Sequence, residues 1–117
     1  VRWYAPRMYE YAIWVDLAPG AKDAEFVDAM SAFLGHHKSA GTIDGWTLQR
    51  RTFGFGPDGL GEFSIRIRTH SLAQLESALL LVTPRDGELE QLHVEVFRRV
   101  TNFRAALYRD FPDANRA

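Results

Sequence analysis

Polar and apolar positions alternate from Tyr9 to Leu17. Tyr11, Ile13, Val15 and Leu17 share one face; Glu10, Ala12, Trp14 and Asp16 share the other. Period two predicts a strand with one buried face. Ala18-Pro19-Gly20 ends it. Asp23 then reads as a helix N-cap, with Glu25 in the first turn where the helix dipole favours an anion. Phe26, Val27, Met30, Phe33, Leu34 and His37 recur at helical spacing, and Lys38 and Gly41 fit a C-terminus. Gly45 to Phe55 reads as a second strand, with a bulge at Arg50-Arg51 where the alternation slips. Gly54 to Gly61 is loop by composition, and Gly56 or Gly59 is expected to take a positive φ there. Glu62 to Thr69 is a third strand: Phe63, Ile65 and Ile67 face one way, Glu62, Ser64, Arg66 and Arg68 the other.

Ser71-Leu72-Ala73-Gln74 has the form of a capping box, opening a helix with Leu72, Leu75, Leu79 and Val82 as its stripe. Thr83-Pro84 reads as the cap of another, whose buried stripe is Leu89, Leu92, Val96 and Val100. Residues 101–109 are ambiguous. Ala, Leu and Arg favour helix, but strand–helix–strand–strand–helix needs one more strand to complete a split β-α-β sheet. The topology decides for a strand.

The expected fold is therefore α+β and ferredoxin-like. It has a four-stranded antiparallel sheet and an extra helix before the last strand. Residues 8–113 form the single domain, 1–7 an N-terminal extension and 114–117 a polar tail. With 117 residues, the chain buries enough surface for a core without staples.

Helices cover one face of this sheet. The other carries Glu10, Trp14, Asp16, Glu62, Ser64, Arg66 and Arg68. The first and third strands are central, antiparallel neighbours in this order, so Asp16 and Glu10 are placed to meet Arg66 and Arg68. Trp14 amid polar neighbours wants cover on its outer side. Two sheets packed face to face would supply it, closing a dimeric α/β barrel.

The order of elements and the polar face resemble the dimeric α/β-barrel superfamily. Three stretches resemble, more narrowly, an uncharacterised proteobacterial family within it. They are Phe33-Leu34-Gly35-His36 with Gly41; Gly45-Trp46 through Arg50-Arg51 and Phe53-Gly54-Phe55-Gly56-Pro57; and Ala106-Leu107-Tyr108-Arg109-Asp110-Phe111-Pro112. The superfamily implies a homodimer, and its members include cofactor-free monooxygenases, haem-degrading enzymes and stress-response barrels. Their active residues differ between branches, and no branch's complete set is present, so none is carried over.

Composition removes several alternatives. There are no cysteines, which excludes disulfides, thiol catalysis and Cys-ligated metals. Net charge -1 gives no field to gather nucleic acid or anionic lipid. The longest apolar run, Ala78 to Val82, is far short of the ~20 residues of a membrane span. A cytoplasmic protein is the default. Gly54-Phe55-Gly56-Pro57-Asp58-Gly59 matches G-x-G-x-x-G but precedes a strand, and Pro57 removes an N–H that would hold phosphate. Arg51-Thr52-Phe53-Gly54-Phe55 has an RNA-recognition look but sits on the second strand and breaks off at Gly56-Pro57. The four histidines form no H-x-x-x-H pair, so no metal or cofactor is expected. His36, His37 and His93 read as helix-boundary residues. His70, ending the third strand at the barrel mouth, is the candidate acid or base.

Two functions remain. In one, the barrel interior binds a small organic molecule, as in a cofactor-independent oxygenase. Trp14, Trp46, Arg66, Arg68, Asp16 and Glu62 then line it, and the arginines hold a carboxylate or phenolate. In the other, the barrel is non-catalytic, closed and ion-paired.

Overall fold

A computed structural model describes residues 8–80 and 87–111. The expected extension 1–7, the tail 114–117 and the Thr83-Pro84 cap lie outside them. The elements are β1 (Tyr9–Leu17), α1 (Asp23–Ser39), β2 (Gly45–Arg50), β3 (Phe63–Thr69), α2 (Leu72–Leu80), α3 (Gly87–Phe97) and β4 (Val100–Arg109). The sheet runs β2-β3-β1-β4 and every neighbouring pair is antiparallel. This is the expected α+β, split β-α-β arrangement. Topology prevails over propensity in the last element: β4 pairs with β1 from Tyr9↔Arg109 to Leu17↔Val100.

The alternation of β1 and β3 sets the layers. Val15, Phe63, Ile65 and Ile67 are buried with Phe26, Met30 and Leu34 of α1. Phe26 sits against Phe63, with ring centroids 4.9 Å apart. The outer face has no helix among the described residues, and within one chain the sheet stays open, with β2 and β4 as its edges.

Several local expectations are corrected. β2 ends at Arg50, not Phe55, and its register with β3 is unbroken. The irregularity lies instead between β1 and β4, between Trp14 and Asp16. There Asn102 adopts φ 56 and its side-chain amide donates to Asp16 Oδ2 at 3.0 Å. An Asn tolerates that left-handed geometry better than most side chains. Lys22, not Asp23, is the N-cap of α1. The Ser71 hydroxyl accepts from Gln74 N–H as a cap should, but Gln74 Oε1 reaches back to the N–H of His70. α2 buries Leu75 and Ala78, leaving Leu72 and Leu79 half-exposed. α3 stops at Phe97, so Val100 belongs to the strand. Gly59 does take positive φ (88°); Gly56 does not.

Candidate functional site

The residues expected to share one interior are dispersed. Trp14, Arg66 and Arg68 do lie together on the outer face. Arg66 donates to Glu10 Oε2 at 3.2 Å and to Ser64 Oγ at 3.1 Å, and its guanidinium lies 5.6 Å from the centre of the Trp14 ring. Arg68 donates to Glu10 Oε1 at 3.1 Å. Glu10 thus takes one arginine on each oxygen. Asp16 pairs with neither: it accepts from the N–H of Glu62 at 2.8 Å and from Asn102. These bonds, Asn102's first, hold its carboxyl below the usual range. Glu62 accepts from Arg50 at 3.0 Å. Trp46 stands opposite Ile67, on the helix-covered side of the sheet and away from Trp14. His70 lies beyond the end of β3, exposed, with Nδ1 2.9 Å from Asp44. Hydrogen bonds from Gln74 and then His70 lower the Asp44 pKa. The outer face carries an open hollow of about 240 Å³ by Trp14, Arg66 and the Phe55-Gly56-Pro57 loop.

A broader groove of about 800 Å³ runs between α1 and the edge strand β2. Trp46 and Leu48 lie along it, and Asp23, Asp28 and Arg50 mark it as charged surface.

A more sheltered, partly open space lies between the sheet and the helices. Two adjoining lobes of about 170 and 100 Å³ share Ile13, Phe33, Leu34, Ile67, His93 and Phe103. Among the described residues no Lys, Arg, Asp or Glu lines either lobe. The polar groups are Tyr11, His37 and His93. A few convergent polar groups in an apolar cavity are the usual make-up of a small-molecule site. Burial pushes the Tyr11 hydroxyl pKa up, so it stays a neutral phenol. The Phe33 ring is 4.9 Å from the His37 ring and 5.5 Å from the His93 ring, so one aromatic spaces both imidazoles. Glu90 lies behind His93, Oε2 to Nδ1 3.7 Å, and that oxygen is buried with no hydrogen bond among the described residues. Leu79, Phe97 and Phe103, each about half exposed or more, give the cavity an apolar rim.

His37 is 3% exposed. Burial lowers its pKa, with His36 and His93 adding repulsion. The folded state therefore binds this proton less readily than the unfolded chain. Its contribution to stability is complete above the ordinary histidine value of about 6.5 and is lost as pH falls below it. The melting temperature should drop between pH 7.5 and pH 5.5, and His37→Gln should flatten that drop. Asp16 and Asp44 act in a separate window: their lowered pKa values add stability above about pH 4 that is lost in stronger acid.

The sequence did carry a signal for this cavity. His37 continues the apolar stripe one turn after Leu34, and His93 sits beside Leu92 on the stripe of α3. A boundary reading of these histidines overlooked that both stripes converge on one space.

Comparison with curated proteins finds no match. Solved structures do share the fold. SnoaB from Streptomyces nogalater, described as a cofactor-independent oxygenase, superposes with a TM-score of 0.58 at 14% identity, over 92% of this chain and 97% of its own. The hydroxynitrile lyase of Passiflora edulis gives 0.65 at 11% identity, over 93% and 98%. A protein of unknown function from Thermobifida fusca, described as dimeric and ferredoxin-like, gives 0.61 at 5% identity, over 91% and 93%. At these identities the likeness is one of fold. Residues 8–117 match a single family model, and the chain belongs to that family of unknown function, DUF6614.

Proposed function

We propose that this protein is a homodimer that binds an uncharged, ring-sized organic molecule in the cavity between sheet and helices. The carrying observation is the lining: mostly apolar, with two imidazoles and one phenol, and no fixed charge among the described residues. A carboxylate or phosphate would lose its hydration there and gain no counter-charge. The arginines expected to grip an anion are on the opposite side of the sheet and engaged by Glu10. Each lobe is of the order that takes one aromatic ring; an apolar cavity of about 150 Å³ binds benzene. The enzymatic reading draws on two imidazoles in this space and on the fold shared with SnoaB and the hydroxynitrile lyase. Millimolar toluene should raise the melting temperature, whereas benzoate should not. Stabilisation by benzoate alone would reverse the proposed ligand class.

The outer face suits the second reading, an ion-paired interior closed by another copy. The arginines of its pairs are at least a third exposed in the single chain, where such pairs contribute little. Phe55 is 81% exposed beside Trp14 and Arg66, an aromatic rim in need of cover. The dimeric description of the Thermobifida relative supports the same assembly. Sedimentation at micromolar concentration should give a species of twice 13.3 kDa. Phe55→Asp should weaken it by tenfold or more, as loss of an aromatic anchor does, with little change in the fold. A 13.3 kDa species alone in the unsubstituted protein would contradict the dimer.

A further inference from the structure

The hydrogen bonds around His37 specify what the cavity's ligand must offer. The Thr42 hydroxyl has one proton, and it donates this to the His37 carbonyl oxygen at 3.0 Å. The Thr42 hydroxyl oxygen also lies 2.7 Å from His37 Nδ1. With its proton committed, Thr42 can only accept there, so Nδ1 carries the ring proton. In a neutral imidazole Nε2 is then a bare acceptor. Burial keeps the ring neutral. The facing groups are His36 on the same helix, Tyr11 from β1 and His93 from α3, and none is a carboxylate. Thr42 is outside the lining and His37 within it, which leaves Nε2 as the ring nitrogen available to the cavity. Among the described residues no hydrogen bond satisfies it, and it keeps some accessible surface rather than being sealed in.

We propose that the bound molecule carries a hydroxyl group, alcohol or phenol, that donates to Nε2 of His37, and that Thr42 is the positioning residue that makes this nitrogen an acceptor. This rests on the cavity reading above and adds the ligand's polar group to it. A ligand whose only polar atom is a carbonyl or ether oxygen would set lone pair against lone pair and be rejected. A hydroxyl entering without such a partner would forfeit its hydration uncompensated.

Phenol and toluene, nearly equal in size, separate the two readings when titrated into the full chain with ¹⁵N-labelled histidine. The free protein should show His37 protonated at Nδ1 alone. Both probes should bind, and phenol should move the Nε2 resonance. Thr42→Val should weaken phenol by about tenfold relative to toluene, the scale of one hydrogen bond, and Thr42→Ser should restore it. Binding of toluene but not phenol, or a His37 ring protonated at Nε2, would overturn the hydroxyl assignment and leave the cavity reading standing. Binding of neither probe would overturn both. The tautomer is read on the unsubstituted protein, so a poorly folded Thr42→Val leaves the test intact.

Discussion

Gly61→Ala should be among the most damaging single substitutions in this chain, costing about 3 kcal/mol or more. A Cβ there would collide with the Val15 carbonyl oxygen and sit 2.5 Å from its carbon. Both atoms are backbone of the central strand β1, where Val15 pairs with Phe63 of β3. Nothing flexible can give way. Two other glycines of the same loop calibrate the effect. Gly59 has φ +88 and only the end of Arg104 within reach, so alanine should cost about 1–2 kcal/mol of backbone strain. At Gly56 a Cβ meets the Arg51 side chain, which can swing aside, and alanine should be close to neutral. Denaturant midpoints for the three variants would test the order. Gly61→Ala as mild as Gly56→Ala would mean that the loop does not approach β1 this closely.

Phe26→Ala should cost about 3–5 kcal/mol, the range for deleting a fully buried aromatic. The ring is 0% exposed and tilted against Phe63, and the hole left could not fill with water without stranding it among apolar groups. Phe33→Ala, two turns along the same helix, should cost less than half as much. Phe33 is only partly buried and already borders empty space, so its removal loses fewer close neighbours. It should also enlarge the cavity, so that naphthalene binds where the unsubstituted protein favours toluene. Equal losses at the two positions would mean that the cavity is closed up in solution.

The sheet was legible because its signal is local and repetitive. Nine alternating residues define β1, and seven in β3 repeat the pattern with arginines on the far face. Together they imply both the helix-covered layer and the polar one. The last strand was legible only through topology, since residues 101–109 read as helix by propensity. The side of the sheet taken by Trp46 was readable in principle: Trp46 and Leu48 alternate with Thr47 and Gln49. Grouping the tryptophans by chemistry obscured it.

What was not legible depends on chain separation and exact geometry. Asp16 is engaged by Glu62 and Asn102 because a bulge brings Asn102 beside it, and no period reveals where a bulge falls. Gly61 is constrained by a strand 46 positions earlier. The His37–Thr42 pair spans a helix end, where the chain turns through Gly41 at φ +78. In sequence it is only a histidine, a glycine and a threonine. The cavity is a property of three helices and three strands at once.

The central claim is that this fold holds its ligand between sheet and helices rather than on the polar outer face. Methyl and indole NMR during a toluene titration tests it most directly, because the two sites have separate reporters. The account predicts saturable shifts at the methyls of Ile13, Leu34, Ile67 and Leu75, with the Trp14 indole unmoved. Shifts confined to Trp14 and its neighbours, with those methyls silent, would contradict it.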